Sequence, residues 1–332
     1  MPHPLRRRTL LTAGAGACVL QPGRSRAEAT NVAIAVSSTS FVLGGVLIGM
    51  KSGVFERRGL APRIILMDSG NAAMAALLGG SAQFAVAGPP ETLAARSRGQ
   101  DVLIVANLYA GFAGLVVLGK AASEHSGVAP SAPLADRLHA LDNLLMAVPS
   151  ATSSLLGPIR DAAAQAGAHV RFTYMAQGTM PAALESDAVQ GIDASLPFSG
   201  VPLLHGTGVL WINGPAGELP ADVSPASSSC LMTSADYLKS HREIVGQLQT
   251  SIVDIAGFIK SEPEAAKRAL AAGYPQLGAE EIDLAFTQQW RNWTKPFLTG
   301  DDMRQEKKLL LASTKLPGLE TMDPATALVG QQ

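Results

Sequence analysis

Residues 69–92 read SGNAAMAALLGGSAQFAVAGPPET, and the reading of this stretch decides the fold. Residues 63–67 (RIILM) form a short apolar run that stops at Asp68-Ser69-Gly70-Asn71, residue types that favour turns and helix N-caps. A helix over 72–78 is ended by Gly79-Gly80, and 83–87 (QFAVA) is a second apolar run of strand length. Gly88-Pro89-Pro90-Glu91-Thr92 then opens another helix. The prolines sit where a missing N–H costs nothing, and Glu91 lies in the first turn, where the positive helix end favours it. Two strand-to-helix junctions therefore come side by side at the carboxyl edge of a parallel sheet, where ligands of open α/β sheets sit.

The 332 residues suit about two domains. A hydrophobic content of 47% against 16% charged residues supports a packed core and excludes global disorder. The N-terminus reads as an export signal: Arg6-Arg7-Arg8, an apolar and small run over 10–20, and an A-x-A site at Ala27-Glu28-Ala29 that predicts cleavage after Ala29. Arg7-Arg8-Thr9-Leu10-Leu11 resembles the twin-arginine pattern. The apolar run is short of the roughly 20 residues of a membrane anchor. The other alternative, a lipoprotein signal ending Gly16-Ala17-Cys18, has Ala15 where a large aliphatic is expected. Without residues 1–29 the chain keeps 21 basic and 26 acidic residues, near −5. Nucleic acid and anionic membrane surfaces are poor partners for such a chain. Cys230 then stands alone, so no internal disulfide is expected.

Taken in order, 31–36 (NVAIAV) reads as a first strand covered on both faces. It runs into Ser37-Ser38-Thr39-Ser40-Phe41, four hydroxyls where an ordinary N-cap needs one, so the loop reads either as a cap or as a ligand loop. Residues 102–107 and 115–118 are further strands, and 120–133, rich in Ala, Ser, Gly and Pro, reads as the passage out of a first lobe. The design then repeats, with strands at 144–148, 170–175 and 191–196. They lead into Pro149-Ser150-Ala151-Thr152-Ser153-Ser154, Gln177-Gly178-Thr179 and Pro197-Phe198-Ser199-Gly200. A faint echo links Gly70-Asn71, Ala75-Ala76-Leu77 and Phe84-Ala85-Val86 with Gly178-Thr179, Ala182-Ala183-Leu184 and Ile192-Asp193-Ala194. After a strand at 209–213, the stretch 227–232 rejoins the first lobe, and from Ser234 one long amphipathic helix and three more carry the chain onward. The lobes predicted are 30–118 with 217–332, and 119–216. Trp290 and Trp293 are expected as core anchors.

These residues resemble the extracytoplasmic substrate-binding proteins of ABC importers, of the nitrate, sulfonate and taurine type. The resemblance rests on the export signal, on Ser69-Gly70-Asn71 with Ala75-Ala76-Leu77, on Gly80, on Phe84-Ala85-Val86-Ala87-Gly88-Pro89-Pro90, on the helix end at Gly167, and on Ser261-Glu262-Pro263-Glu264-Ala265-Ala266. It implies an α/β fold of the two-lobed periplasmic-binding-protein type (type II), with parallel-sheet lobes, a helical C-terminal region and ligand held in a cleft that closes. It also implies a periplasmic monomer that hands a small anion to permease subunits in the inner membrane, with no cofactor. Ligand contacts carried over from the family fall on the loops 37–41, 88–92 and 150–154, chiefly on Ser37, Thr39, Ser40 and Phe41, on Gly88, Pro89, Pro90 and Glu91, and on Ser150, Thr152 and Ser153. Ser69, Asn71, Gln177, Thr179, Phe198 and Ser199 at the other junctions complete the candidate set.

The loops offer hydroxyls, amides and helix ends but no Arg or Lys, which suits a sulfonate, nitrate or carboxylate whose charge is spread over several oxygens. Glu91 reads as a first-turn helix residue or as an anchor for an ammonium group. Phe41, Tyr109, Phe112 and Phe198 read as walls of the cleft or as core. The runner-up ligand is a pyrimidine or thiamine precursor, or an aromatic carboxylate. An enzyme on the same fold stands further off, because no G-x-S-x-G elbow or cysteine-rich motif occurs. His125, His139, His169, His205 and His241 are scattered, with none at metal-ligand spacing.

Overall fold

The computed structural model describes residues 29–67 and 70–330. The export-signal reading falls on residues 1–28, and Ser69 on 68–69, outside the described residues. Among the described residues ten strands form two five-stranded sheets. The first has the order β2-β1-β3-β10-β4, from β1 (Thr30–Val36), β2 (Leu60–Leu66), β3 (Phe84–Ala87), β4 (Val102–Ala110) and β10 (Ser227–Ser234). The second has the order β7-β6-β8-β5-β9, from β5 (Leu115–Gly119), β6 (Leu145–Val148), β7 (Arg171–Tyr174), β8 (Gly191–Ala194) and β9 (Gly208–Asn213). Helices on both faces bury β1 from Val32 onward, which is why it is apolar without alternation.

Each sheet departs from the all-parallel expectation by one reversed strand. β10 runs antiparallel between β3 and β4, and β5 antiparallel between β8 and β9. In each lobe that strand comes from the other half of the chain, because the chain crosses between sheets twice. The outward crossing lies at residues 111–114 and the return between β9 and β10. β5, which the division at residue 118 left in the first lobe, pairs along its length in the second sheet. The crossings touch: a Cβ on Gly214 would run into the carbonyl of Gly114 and the ring of Phe112. The sequence echo falls on equivalent elements, since the helix Gly70–Leu78 leads to β3 as the helix Met180–Glu185 leads to β8.

Two helical expectations change. The stretch 120–133 contains a short helix, Lys120–Ser126, which buries Ser123 alone and so leaves no apolar period to read. The single helix expected from Ser234 is two, Ala235–Ser240 and Arg242–Ser261, broken at His241, whose ring stacks on Tyr237 at 4.2 Å. Val245, Leu248, Ile252, Ile255 and Ile259 point the longer helix into the core at helical spacing. Trp293 is buried in that core, while Trp290 is half-buried with Arg291 over its ring. Among the described residues no helix is long and apolar enough to cross a membrane.

Candidate ligand-binding site

All six strand-to-helix junctions of the parallel strands converge on one cavity of about 100 Å³ between the sheets. The first lobe contributes Ser37 and Ser38 after β1, Gly70 at a helix start, and Gly88 and Glu91 after β3. The second contributes Ser150, Ser153 and Ser154 after β6, Gln177 after β7, and Ser195 after β8. Ser228 and Ser229 of β10 close the floor. Gly70, Gly88 with Glu91, and Gln177 bring helix starts to the cavity, and the first N–H groups of a helix have no partner within it, so these ends favour negative charge. Among the described residues no Lys, Arg, His or aromatic side chain lines the cavity.

Of the expected site residues, Ser37, Gly88, Glu91, Ser150, Ser153 and Gln177 meet in this cavity. Gln177 is fixed there because its Oε1 accepts both the N–H and the Oγ–H of Ser195, at 2.8 and 2.9 Å. Glu91 forms the capping box of its helix, Oε2 accepting the Gly88 N–H at 3.1 Å. Burial pushes its acid up to about 8 despite that bond, and the charge of Glu306 adds to the rise.

The remaining expectations are corrected by position. Phe41 is a core residue, packed on Tyr274 with ring centroids 4.6 Å apart, and Tyr109 and Phe112 are buried as well, so none walls the cleft. Ser40 is turned under the loop, where its Oγ accepts from Ser38 Oγ at 3.2 Å. Thr39, Asn71 and Thr179 are exposed away from the cavity, and Thr179 Oγ1 donates to the Ala176 carbonyl. Pro89 is buried in its helix start, while Pro90 and Thr152 line a smaller neighbouring cavity of about 30 Å³ with Glu306 and Arg160. Phe198 packs on the small core of the second lobe, and the buried Ser199 lies off the cavity.

Ser38 and Ser154 fall within the expected loops 37–41 and 150–154, whereas Ser195, Ser228 and Ser229 were not among the expected residues. Ser228 lies in a visible run of serines, but its place depends on β10 threading the first sheet. Its Oγ donates to the Gly111 carbonyl at 2.8 Å and accepts the Ala113 N–H at 2.9 Å, holding the outward crossing against the start of β10. Two further bonds join the lobes: Ser154 Oγ donates to the Ser228 carbonyl, and the Phe41 N–H donates to the Leu196 carbonyl at 2.7 Å.

Cys230 is fully buried and burial pushes its thiol far up, so it is not poised as a nucleophile. Among the described residues no group of three or more His, Cys, Asp or Glu is placed to hold a metal.

The family model described as NMT1/THI5 like matches residues 40–123. No curated protein matches the chain. Among solved structures, a protein from Bordetella bronchiseptica RB50 is similar with a TM-score of 0.76 at 19% identity, over 92% of this chain and 96% of that one. The alkanesulfonate-binding protein SsuA from Xanthomonas axonopodis pv. citri, bound to MOPS, gives 0.70 at 18% identity, over 91% and 99%. The periplasmic aliphatic sulphonate binding protein SsuA from Escherichia coli gives 0.64 at 14%, over 88% and 96%. The chain has the two-lobed α/β fold of the periplasmic substrate-binding proteins, as its resemblance to the importer receptors implies.

Proposed function

We infer that the protein is an exported solute receptor of an ABC importer, which closes its lobes on a small oxyanion and hands it to membrane permease subunits without chemistry of its own. One observation carries this reading: serine hydroxyls, a glutamine amide and helix starts from both lobes surround a cavity that holds no basic and no aromatic side chain among the described residues. A sulfonate or nitrate spreads one charge over three oxygens and so can be held by several neutral donors and helix ends at once. The cavity is small beside the roughly 300–1,000 Å³ of sites for drug-sized ligands, which favours a compact head group. Alkanesulfonate binding by the Xanthomonas axonopodis relative supports the same class.

The family match over residues 40–123 favours a second ligand class, pyrimidine precursors, but the cavity offers no ring on which a pyrimidine would stack. A thermal-shift screen of the purified protein against alkyl- and arylsulfonates, taurine, nitrate, aromatic carboxylates and pyrimidines tests both. A true ligand at 100-fold over its Kd adds about 2.7 kcal/mol, a rise of several degrees. Stabilisation by pyrimidines alone would replace the anion reading with the second one.

A further inference from the structure

We propose that Glu91 serves the receptor as a neutral acid, so that each oxyanion captured between the lobes is accompanied by one proton on this side chain. The proposal rests on the anion-receptor reading above and adds the state of the site's one acidic group.

Geometry carries it. Glu91 lines the cavity, and among the described residues it is the sole ionisable side chain that does. Its Oε2 is taken by the Gly88 N–H. Its Oε1 lies on the side of Gly70, where a Cβ on that glycine would come within 3.9 Å of it at the start of the helix Gly70–Leu78. A carboxylate in that place would set negative charge against a negative solute in a site partly withdrawn from water, where repulsion exceeds that in bulk solvent. With a proton, the same group donates to the solute through an O–H···O⁻ bond, one of the stronger hydrogen bonds.

The surroundings hold the acid neutral. Burial is the main cause of its raised pKa; Glu306, on the helix Gly300–Ser313 that packs against Pro89–Ser97, is itself buried with its acid pushed up to about 8, and where it does ionise it opposes a second negative charge on Glu91. On β10 the Cys230 thiol is itself pushed up and carries no charge. On Glu91's own helix, Arg96 bonds the Val102 carbonyl and Thr326 Oγ1 instead. The facing loop at 149–155, the helix Gly70–Leu78 and β4 carry no ionisable group except Tyr109, which burial keeps neutral. Asp68, next to that helix, lies outside the described residues.

The test is calorimetric titration of the purified protein and of Glu91→Gln with methanesulfonate, benzenesulfonate and nitrate, from about pH 6 to about pH 9.5, in buffers of different ionisation heat. For whichever anion binds, affinity falls by about tenfold per pH unit above about pH 8, and complex formation there takes up a proton. Glu91→Gln keeps a side chain that can cap the helix and gives an affinity independent of pH. A flat profile in the unaltered protein, or an affinity that rises with pH, would overturn the proposal and leave the receptor reading in place. Failure of all three anions to bind at any pH would overturn both.

Discussion

Ser154 of the second lobe donates its hydroxyl hydrogen to the backbone carbonyl of Ser228 in the first, at 2.9 Å, with both residues buried. The acceptor is the residue whose own side chain ties the outward crossing to the start of β10. A single position thus touches the hinge, the floor of the cavity and the opposite lobe.

Ser154→Ala removes a bond that joins the two lobes. One hydrogen bond is worth about 0.5–1.5 kcal/mol net, so affinity for the bound anion should fall about three- to tenfold. Calorimetric titration of the variant checks this, and an unchanged affinity would show that the bond does not contribute to closure.

Gly88→Ala wedges the cleft. A Cβ there would come within 2.9 Å of both Ser154 Cβ and Glu91 Oε2, while the backbone, at φ −82, accepts alanine without strain. Affinity should fall by at least about tenfold, about 1.4 kcal/mol. X-ray scattering in the presence of the ligand should show a larger radius of gyration than for the unaltered protein.

The hydroxyl loop after β1 is pinned from behind by C-terminal residues. Trp293 Nε1 donates to the Phe41 carbonyl at 2.9 Å and Tyr274 Oη to the Ser40 carbonyl at 2.8 Å. Tyr274→Phe should cost about 1 kcal/mol in denaturant unfolding. Trp293→Ala, which also empties a core site against Phe286, should cost about 3–5 kcal/mol.

Stability should fall as pH rises from about 4.5 to about 8. Burial pushes the Glu306 acid from 4.5 up to about 8 although it accepts the Ser227 N–H at 3.0 Å, and Glu91 is raised in the same way. Between those values the unfolded chain has released protons that the folded chain keeps. The stabilisation is therefore complete below the unfolded pKa and is lost as pH climbs through the folded one, on the order of 1 kcal/mol per pH unit per group. Melting temperatures across this range check the slope, and Glu306→Gln should flatten it.

The strand-helix-strand-helix order around Gly70 to Thr92 was legible because its signals are local: an apolar run, a turn, small residues at helical spacing, paired glycines and paired prolines. The β10 side of the cavity was not. Ser228 and Ser229 reach it because β10 pairs with β3 and β4 from more than a hundred residues away. No local pattern reports such a pairing. Within the run 37–41 the residue types were right, but which side chain faces the cavity depends on where the strand ends. Ser37 and Ser38 look into it, whereas Ser40 and Phe41 are drawn into the core by Tyr274 and Trp293, more than two hundred residues on. The boundary at residue 118 failed for a related reason, since an apolar strand carries no mark of the sheet it joins.

The most direct test of capture by neutral donors is a crystal structure of the protein grown with an alkane- or arylsulfonate, the sulfur located by its anomalous signal. The sulfur should lie between Ser37 and Ser38 on one side and Ser150, Ser153 and Ser154 on the other, with its oxygens facing hydroxyls and helix starts. A sulfonate bound outside the cleft, or held there by a lysine or arginine, would contradict it.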